Sequence, residues 1–158
     1  MRPLAVFDID GVLADVSHRV HFLECHPADW RSFFDAAQDD VPLPEGMALS
    51  SEAAKDCDVV YLTGRPERCR SQTEHWLSTH GFPQGPIVMR SDGDHRPARR
   101  AKPPLLRALA RGRIVAVVVD DDEDVCDAYV KAGWNVLQAR WAGRSDALHQ
   151  AQENDGRT

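Results

Sequence analysis

FDIDGVL, residues 7–13, follows the short apolar run Leu4–Phe7, and this run predicts a buried β-strand near the start of the chain. Asp8 and Asp10 therefore stand at the carboxyl end of that strand, where open α/β sheets bind their ligands. Gly11 suits the tight turn that leaves the strand. Because two neighbouring buried carboxylates repel each other, the pair predicts a bound cation or a shared proton. The alternative is a strand end that carries two solvated aspartates.

Strands and helices alternate along the remaining chain. Further strands are expected at residues 58–63, 86–90, 114–119 and 135–139, and helices at 15–24, 29–38, 47–55, 66–80, 102–112 and 124–132. The alternation predicts an α/β fold of three Rossmann-like layers, in which a mostly parallel five-stranded sheet lies between helices. Residues 1–143 are expected to form this domain, and residues 144–158 a polar, loosely held C-terminal tail. The intervals between the strand ends leave room for only a minimal cap.

The composition excludes some classes of function. The formal net charge of −6 argues against a surface that coats nucleic acid broadly, and the longest apolar run is too short to cross a membrane. The four scattered cysteines are typical of reduced thiols, so a cytoplasmic location is expected. Residues 95–113 contain seven Lys or Arg residues and no acid. This segment either tracks a nucleic-acid backbone or is a solvated basic helix face.

Polar residues follow three of the strands. Thr63-Gly64-Arg65 follows the second strand, and Asp120 and Asp121 follow the strongly apolar fourth one. Because the carboxyl ends of parallel strands share one edge of the sheet, these residues are expected to meet Asp8 and Asp10. Carboxylates in this arrangement suit Mg²⁺, and Arg65 offers a planar fork for a phosphate. Lys102 is the natural charge partner of the acids, because it opens the helix before the fourth strand.

These motifs, in this order, resemble the haloacid dehalogenase (HAD) superfamily, whose members are mostly Mg²⁺-dependent phosphatases. The resemblance implies that Asp8 is both nucleophile and metal ligand, and that it forms an aspartyl-phosphate intermediate. Asp10 would donate and later accept a proton, with its backbone carbonyl reaching the metal. Asp120 and Asp121 would complete the metal site, with Asp124 as an outer candidate. Thr63 and Gly64 would bind the phosphate, and Lys102 would pair with the nucleophile.

Within the superfamily, the chain is similar to the phosphatase domain of bacteriophage polynucleotide kinase–phosphatase. That resemblance implies that Arg19 and Arg65 contact the substrate phosphate. Arg99 and Arg100, in the basic segment, are further substrate-binding candidates. Two residues depart from the pattern: Val12 replaces a threonine, and Ala98 replaces the acid that would orient Lys102, a role left open to Asp94 or another acid.

The function that follows is removal of a 3′-phosphate from a DNA or RNA end. The alternatives are a small-molecule phosphatase, such as a nucleotidase, and a non-catalytic receiver-like phosphoacceptor. No P-loop kinase motif occurs in this sequence. The partner expected for this chain is a kinase or ligase, or a second copy of the chain in a homo-oligomer.

Two further patterns have a functional and a structural interpretation. Trp30, Phe33 and Phe34 stand at helical spacing, which favours a core position over the stacking of a nucleobase. Clustered zinc-ligand types occur at His18, His21, Cys25 and His26, but their spacing matches no common structural zinc site.

Overall fold

A computed structural model describes residues 1–143 and 145–158. Five parallel strands form one sheet in the order β5-β4-β1-β6-β7. The strands are β1 (Leu4–Phe7), β4 (Asp58–Pro66), β5 (Ile87–Arg90), β6 (Val115–Asp120) and β7 (Val136–Gln138); the short strands β2 (Ala14–Asp15) and β3 (Val41–Pro42) form an antiparallel pair outside it. The predicted five-stranded α/β fold is confirmed.

Six α-helices occur in the described residues: α1 (Trp30–Asp35), α2 (Pro44–Asp56), α3 (Arg70–Thr79), α4 (Ala98–Leu109), α5 (Glu123–Lys131) and α6 (Asp146–Asp155). Short 3-10 turns cover Ser17–Leu23, Ala36–Asp39 and Glu67–Cys69. None of these helices is both long enough and apolar enough to span a bilayer.

The central strand β1 supplies both faces of the core. Ala5 and Phe7 pack with α2 and α3 on one face, whereas Leu4 and Val6 pack with α4 and α5 on the other. Alternate residues of a strand point to opposite faces, and a strand buried on both sides is therefore apolar throughout. Because β4 and β6 flank β1 in parallel, the residues that follow these three strands lie at one edge of the sheet.

Several boundaries differ from those expected. The segment Ser17–Leu23 is a 3-10 turn rather than part of an α-helix, and Val16, the residue before it, makes no side-chain capping hydrogen bond. β4 continues through Pro66 instead of turning at Gly64. α4 begins at Ala98, so that Pro103 lies inside the helix and does not open it. Ile114 is exposed and lies outside β6.

The C-terminal residues contain a helix where the sequence predicts a loosely held tail. Ser145 caps α6 by accepting a hydrogen bond from the backbone N–H of Leu148 at 3.2 Å. The helix packs on the segment Ser17–Leu23, and Ala151 is buried in the cluster around Phe34. Residue 144, the first of the expected tail, is outside the described residues. The division of the chain after residue 143 stays a prediction.

Candidate active site

Lys102 bridges two carboxylates at the edge of the sheet. Its Nζ lies 3.0 Å from Asp8 Oδ2 and donates a hydrogen bond to Asp120 Oδ2 at 2.6 Å. All three side chains are buried. The lysine reaches the acids because α4 packs beside α5 on the sheet, which places its second turn over the ends of β1 and β6. Asp120 thus orients the lysine, in a chain that has Ala98 where the resemblance expects an orienting acid.

Asp121 completes a cluster of three acids. One carboxylate oxygen from each of Asp8, Asp120 and Asp121 lies within 4.8 Å of the others. Two buried carboxylates, Asp8 and Asp120, and the partly buried Asp121 face a single ammonium here, so the site has an excess of two negative charges when all three acids are ionised. Mg²⁺ binds hard oxygen donors and keeps several waters and substrate oxygens. The donor set and the surplus of negative charge therefore fit Mg²⁺.

The acids titrate far from their ordinary range. Burial, opposed by Lys102 and reinforced by Asp120, raises the pKa of Asp8 to about 7. Burial and the charges of Asp120 and Asp8 raise the pKa of Asp121 well above its usual value. Burial disfavours the charge on Lys102, but Asp120 and Asp8 outweigh it and raise the lysine pKa. Without a cation beside them, these carboxylates therefore keep their protons up to a higher pH than ordinary carboxylates do.

Asp10 belongs to a different electrostatic environment from Asp8. Its Oδ1 accepts hydrogen bonds from Arg65 Nη2 at 2.6 Å and from Arg19 Nη2 at 2.9 Å. Burial would raise the Asp10 pKa, but the two guanidinium groups outweigh it and lower that pKa. Its Oδ2 is buried and has no hydrogen-bond partner among the described residues. That oxygen is therefore available for proton transfer.

Asp40 completes the arginine network, and sequence reasoning did not single it out. Its Oδ1 and Oδ2 accept hydrogen bonds from Arg19 Nε and Nη2, each at 2.8 Å, and Oδ2 also accepts from Arg65 Nη2 at 3.2 Å. His18 Nε2 lies 2.7 Å from Oδ1. Asp40 stands in a loop with prolines and a second acid, a pattern typical of solvated turns. No signal in the sequence marks it as buried.

Arg19 and Arg65 are both almost completely buried, and their remaining donors reach protein atoms. Arg19 Nη1 donates to the carbonyl of Phe33 at 3.3 Å, and Arg65 Nη1 donates to Thr73 Oγ1 at 3.2 Å. The geometry therefore assigns both arginines the positioning of Asp10. Their contact with the substrate phosphate stays a prediction.

Two glycines allow close approach at this edge. Gly11 has φ +79°, and a Cβ there would lie 2.1 Å from Asp121 Oδ2. A Cβ on Gly64 would lie 2.4 Å from the carbonyl carbon of Thr158, so the C-terminal residues return to the second motif. Thr63 is buried, and its Oγ1 accepts a hydrogen bond from the backbone N–H of Arg65 at 3.2 Å. Its hydroxyl proton remains available to donate.

Apart from Lys102, the predicted substrate-binding residues of the basic segment make no ion pair with these acids among the described residues. Arg99 Nε donates to Glu153 Oε2 at 3.2 Å, and Arg100 is exposed on α4. Asp94 is occupied by Arg96, whose side chain binds it at 2.8 and 2.9 Å, so Asp94 does not orient Lys102. A substrate role for Arg99 and Arg100 stays a prediction.

The aromatic residues of α1 have structural roles, and so does His18 of the His/Cys cluster. Phe33 and Phe34 are buried in a core cluster, and Trp30 Nε1 donates to Asp155 Oδ2 at 2.8 Å. His18 contacts Asp40, and the four clustered His and Cys residues are not among the ligand clusters found in residues 1–143 and 145–158. Asp124, Asp122 and His149 do bring ligand atoms within 4.8 Å of one another, at partly exposed positions.

Residues 3–143 match the family model described as the polynucleotide kinase PNKP phosphatase domain. The chain belongs to this family. It is therefore a phosphatase domain of the HAD type, which disfavours the receiver-like alternative.

Solved structures share the fold of this phosphatase domain. In the structure of the Pnkp1/Rnl/Hen1 RNA repair complex, the match covers 90% of this chain and 44% of the other, with a TM-score of 0.74 and 22% identity. A HAD family enzyme from Bacteroides thetaiotaomicron, in complex with magnesium and inorganic phosphate, has a TM-score of 0.57 and 11% identity, covering 94% of this chain and 99% of the other.

Two curated relatives are membrane-associated phosphatidylinositol transfer protein 3 of mouse and of human. They are 32% and 31% identical to this phosphatase domain over 96 residues. The aligned region is 60% of this chain and only 10% of each relative. The chain thus corresponds to a small part of those proteins.

Proposed function

We propose that this phosphatase removes the 3′-phosphate from a DNA or RNA end, with Mg²⁺ held by Asp8, Asp120 and Asp121. The family match supports a phosphatase akin to those of polynucleotide kinases. The observation that carries the proposal is the buried Lys102 between Asp8 and Asp120, with Asp121 alongside. The related Bacteroides enzyme in complex with magnesium and phosphate supports the choice of metal.

Asp8 would attack first. One of its carboxylate oxygens forms a bond to phosphorus while the bond from phosphorus to the leaving oxygen breaks, which gives an aspartyl phosphate. Bound Mg²⁺ would supply positive charge that offsets the repulsion between this carboxylate and a dianionic phosphate. Lys102 keeps the attacking carboxylate in place from 3.0 Å. The hydroxyl of Thr63 would donate to a phosphate oxygen.

Asp10 would move the protons through Oδ2, the oxygen that has no hydrogen-bond partner within residues 1–143 and 145–158. In the first step it gives its proton to the leaving oxygen. In the second it takes a proton from the water that attacks phosphorus, the bond to Asp8 breaks, and phosphate is released. Arg19 and Arg65 hold Asp10 ionised, which suits the second step. The proton for the first step would come with the substrate, because a phosphate monoester binds partly as its monoanion and can pass that proton to Asp10 Oδ2.

The test compares four phosphate monoesters that differ in the position of the phosphate and in the length of the strand that carries it. An oligonucleotide with a 3′-phosphate, the same strand with a 5′-phosphate, and nucleoside 3′- and 5′-monophosphates are each incubated with Mg²⁺, and phosphate release is measured. We expect the 3′-phosphates to be hydrolysed faster than the 5′-phosphates. Equal rates for all four, or a rate unchanged by EDTA, would contradict the proposal.

Two variants control that experiment. Asp8→Asn removes the nucleophile without changing its size, so turnover should vanish while the circular dichroism spectrum is retained. Asp56→Asn is the matched control, because Asp56 is exposed at the end of α2. A nucleotidase remains the second candidate, since α6 and the C-terminal residues cover part of the site.

The binding partners and the cellular location of this chain are further proposals. The solved complex with a similar fold contains Pnkp1 together with Rnl and Hen1. A kinase or ligase partner for this chain is therefore proposed by analogy, as are a homo-oligomer and a cytoplasmic location. Co-purification with size-exclusion chromatography would test the assembly.

A further inference from the structure

A groove of about 740 Å³ lies between α1 and the start of α3. Its lining contains three arginines, after which it is called the arginine groove: Arg31, Arg68 and Arg157. Two aspartates, one glutamine and four less polar residues complete the lining. None of these residues takes part in the catalytic steps proposed for the site.

Two of the arginines have no carboxylate partner among the residues that the structure describes. Neither the guanidinium of Arg68 nor that of Arg157 forms an ion pair or a hydrogen bond with another described residue. Arg68 is exposed, and its Cζ lies 5.3 Å from the centre of the Phe34 ring. Arg157 is half-buried. Both guanidinium groups can therefore bind an anion from outside the chain.

The two aspartates of the arginine groove interact elsewhere. Asp29 caps α1, where its Oδ1 accepts a hydrogen bond from the backbone N–H of Ser32 at 3.0 Å. Asp35 Oδ2 lies 3.9 Å from Arg31 Nε. With three arginines against two aspartates, the groove has a net positive charge, although the whole chain has a formal net charge of −6. Because salt screens exposed charges beyond about 10 Å, this local excess decides what binds in the groove.

The arginine groove lies next to the candidate active site. On the α1 side, the carbonyl of Phe33 accepts a hydrogen bond from Arg19 Nη1 at 3.3 Å, and Arg19 in turn positions the carboxylate proposed to transfer protons. On the other side, Arg157 precedes Thr158, whose carbonyl carbon lies 2.4 Å from the Cβ position of Gly64. Gly64 belongs to the motif expected to bind the scissile phosphate. A strand whose 3′ end is in the site can therefore continue into the groove.

Contacts on both sides hold Arg157 at the edge of the groove. Arg90 Nη1 donates a hydrogen bond to the carbonyl of Gly156 at 2.5 Å. Trp30 Nε1 donates to Asp155 Oδ2 at 2.8 Å, which fixes the end of α6 against α1. Arg157 is thus placed by tertiary contacts, and it lies outside the segment that the family model matches.

A phosphodiester backbone is the anion that suits this groove. Arginine binds phosphate oxygens through paired N–H donors, and each linkage of a nucleic acid supplies one negative charge. The rings of Trp30 and Phe34 are buried, so they offer little surface for stacking a base. Contacts to phosphates alone carry no sequence information. The groove therefore fits a strand of any sequence.

We propose that the arginine groove binds the phosphodiester backbone of the single strand that carries the 3′-phosphate, with Arg68 and Arg157 each contacting one phosphate. This inference rests on the proposed function and deepens it, because it names the path of the strand. It predicts that an oligonucleotide binds more tightly than a mononucleotide, and that the difference shrinks as salt is added.

The test measures binding without turnover. In the Asp8→Asn background with Mg²⁺, calorimetry gives Kd for a four-nucleotide oligothymidylate with a 3′-phosphate and for thymidine 3′-monophosphate, at about 50 and about 200 mM NaCl. Each phosphate contact to a single strand contributes a slope of about −0.7 in log K against log salt. Two contacts therefore predict that the oligonucleotide loses about sevenfold more affinity than the mononucleotide over this range. Adding Arg68→Gln or Arg157→Gln should reduce that ratio to about threefold, and adding both should abolish it.

Two further variants separate the loss of a contact from other effects. Arg107→Gln removes one exposed positive charge outside the groove and should keep the sevenfold ratio. Arg68→Lys keeps the charge inside the groove and should keep it too, whereas a role of Arg68 in packing against Phe34 alone would not distinguish Lys from Gln. Because each ratio compares two ligands on the same protein, a partial loss of folded protein cancels.

The outcomes separate the arginine groove from the phosphatase proposal. Equal salt dependence of the two ligands, or an effect of Arg107→Gln as large as that of Arg68→Gln, would overturn the groove. The phosphatase proposal would still hold if the wild type released phosphate from both ligands. Absence of Mg²⁺-dependent phosphate release from both ligands by the wild type would overturn both proposals.

Discussion

Asp40 binds Arg19 side-on, with two hydrogen bonds of 2.8 Å from Nε and Nη2. The same arginine donates from Nη2 to Asp10 at 2.9 Å. The Arg19 guanidinium therefore links two buried carboxylates. Asp10 is the one proposed to transfer protons, and Asp40 is the one that holds the arginine. Paired, planar contacts of this kind fix a guanidinium in one orientation. Asp10 owes its position to an acid that lies 30 residues away in the sequence.

Replacing Asp40 should therefore damage both folding and turnover. Asp40→Asn keeps the size of the side chain but leaves Arg19 and Arg65 with one carboxylate between them. Breaking a buried ion pair from one side costs about 3 kcal/mol or more, and we expect such a loss in the free energy of unfolding. The surviving folded enzyme should lose about 100-fold in kcat, because Asp10 is no longer held in place. Urea unfolding and steady-state kinetics measure the two effects.

Asp35→Asn is the matched control for that variant. Asp35 lies on α1 with an exposed side chain, and its nearest cation is Arg31 at 3.9 Å. Exposed pairs contribute little to stability, so both parameters should stay at their wild-type values. If Asp40→Asn unfolds at the wild-type urea concentration, the buried network does not stabilise the fold.

The fold could be predicted from the sequence because each strand is marked by a short stretch of neighbouring residues. β1 and β6 are short apolar runs, and a parallel sheet covered on both faces requires such runs. The acids that end these strands follow from the same pattern. Lys102 could be chosen because few lysines compete for the role.

What could not be predicted depends on contacts between distant residues. α6 has a polar sequence, and it is held by Trp30 and Arg99, which precede it by many residues. Asp40 has the local sequence of a solvated loop, and only the fold brings it to Arg19. Arg65 offers a fork that suits a phosphate as well as a carboxylate, so its residue type alone did not reveal that it binds Asp10.

Lys102 should matter to the chemistry more than any exposed lysine. Lys102→Met keeps much of the side-chain volume but removes the charge between Asp8 and Asp120. Because a preorganised cation in a buried site stabilises developing charge, we expect kcat for acetyl phosphate to fall about 100-fold or more. Lys131→Met, at an exposed position late on α5, should leave kcat unchanged. Comparable rates in both variants would argue against a role for the buried lysine.

Mg²⁺ should raise the melting temperature, and more at pH 8 than at pH 6. The pKa of Asp8 is about 7 in the folded protein, against an ordinary value of 3.8. Between those values the folded state binds more protons than the unfolded state, so the stability of the metal-free protein falls as the pH rises. Below pH 7 the metal must also displace a proton, which weakens its binding.

Thermal unfolding with Mg²⁺ or EDTA at the two pH values measures that difference. Asp121→Asn removes one of the three acids, so it should stabilise the metal-free protein at pH 8 and shrink the gain from Mg²⁺. An equal gain at pH 6 and pH 8 in the wild type would show that no carboxylate of the cluster titrates between them.

Gly11 should be needed for metal binding because it has no Cβ, and not only because of its positive φ. Gly11 and Gly81 both have positive φ, +79° and +73°, so Gly11→Ala and Gly81→Ala should each destabilise the protein by about 1 kcal/mol. Only at Gly11 would the new Cβ lie 2.1 Å from Asp121 Oδ2, since no atom lies within 4 Å of the Cβ position at Gly81. Gly11→Ala should therefore lose most of the thermal stabilisation by Mg²⁺, whereas Gly81→Ala should keep it. If both variants respond to Mg²⁺ like the wild type, Asp121 is not a ligand.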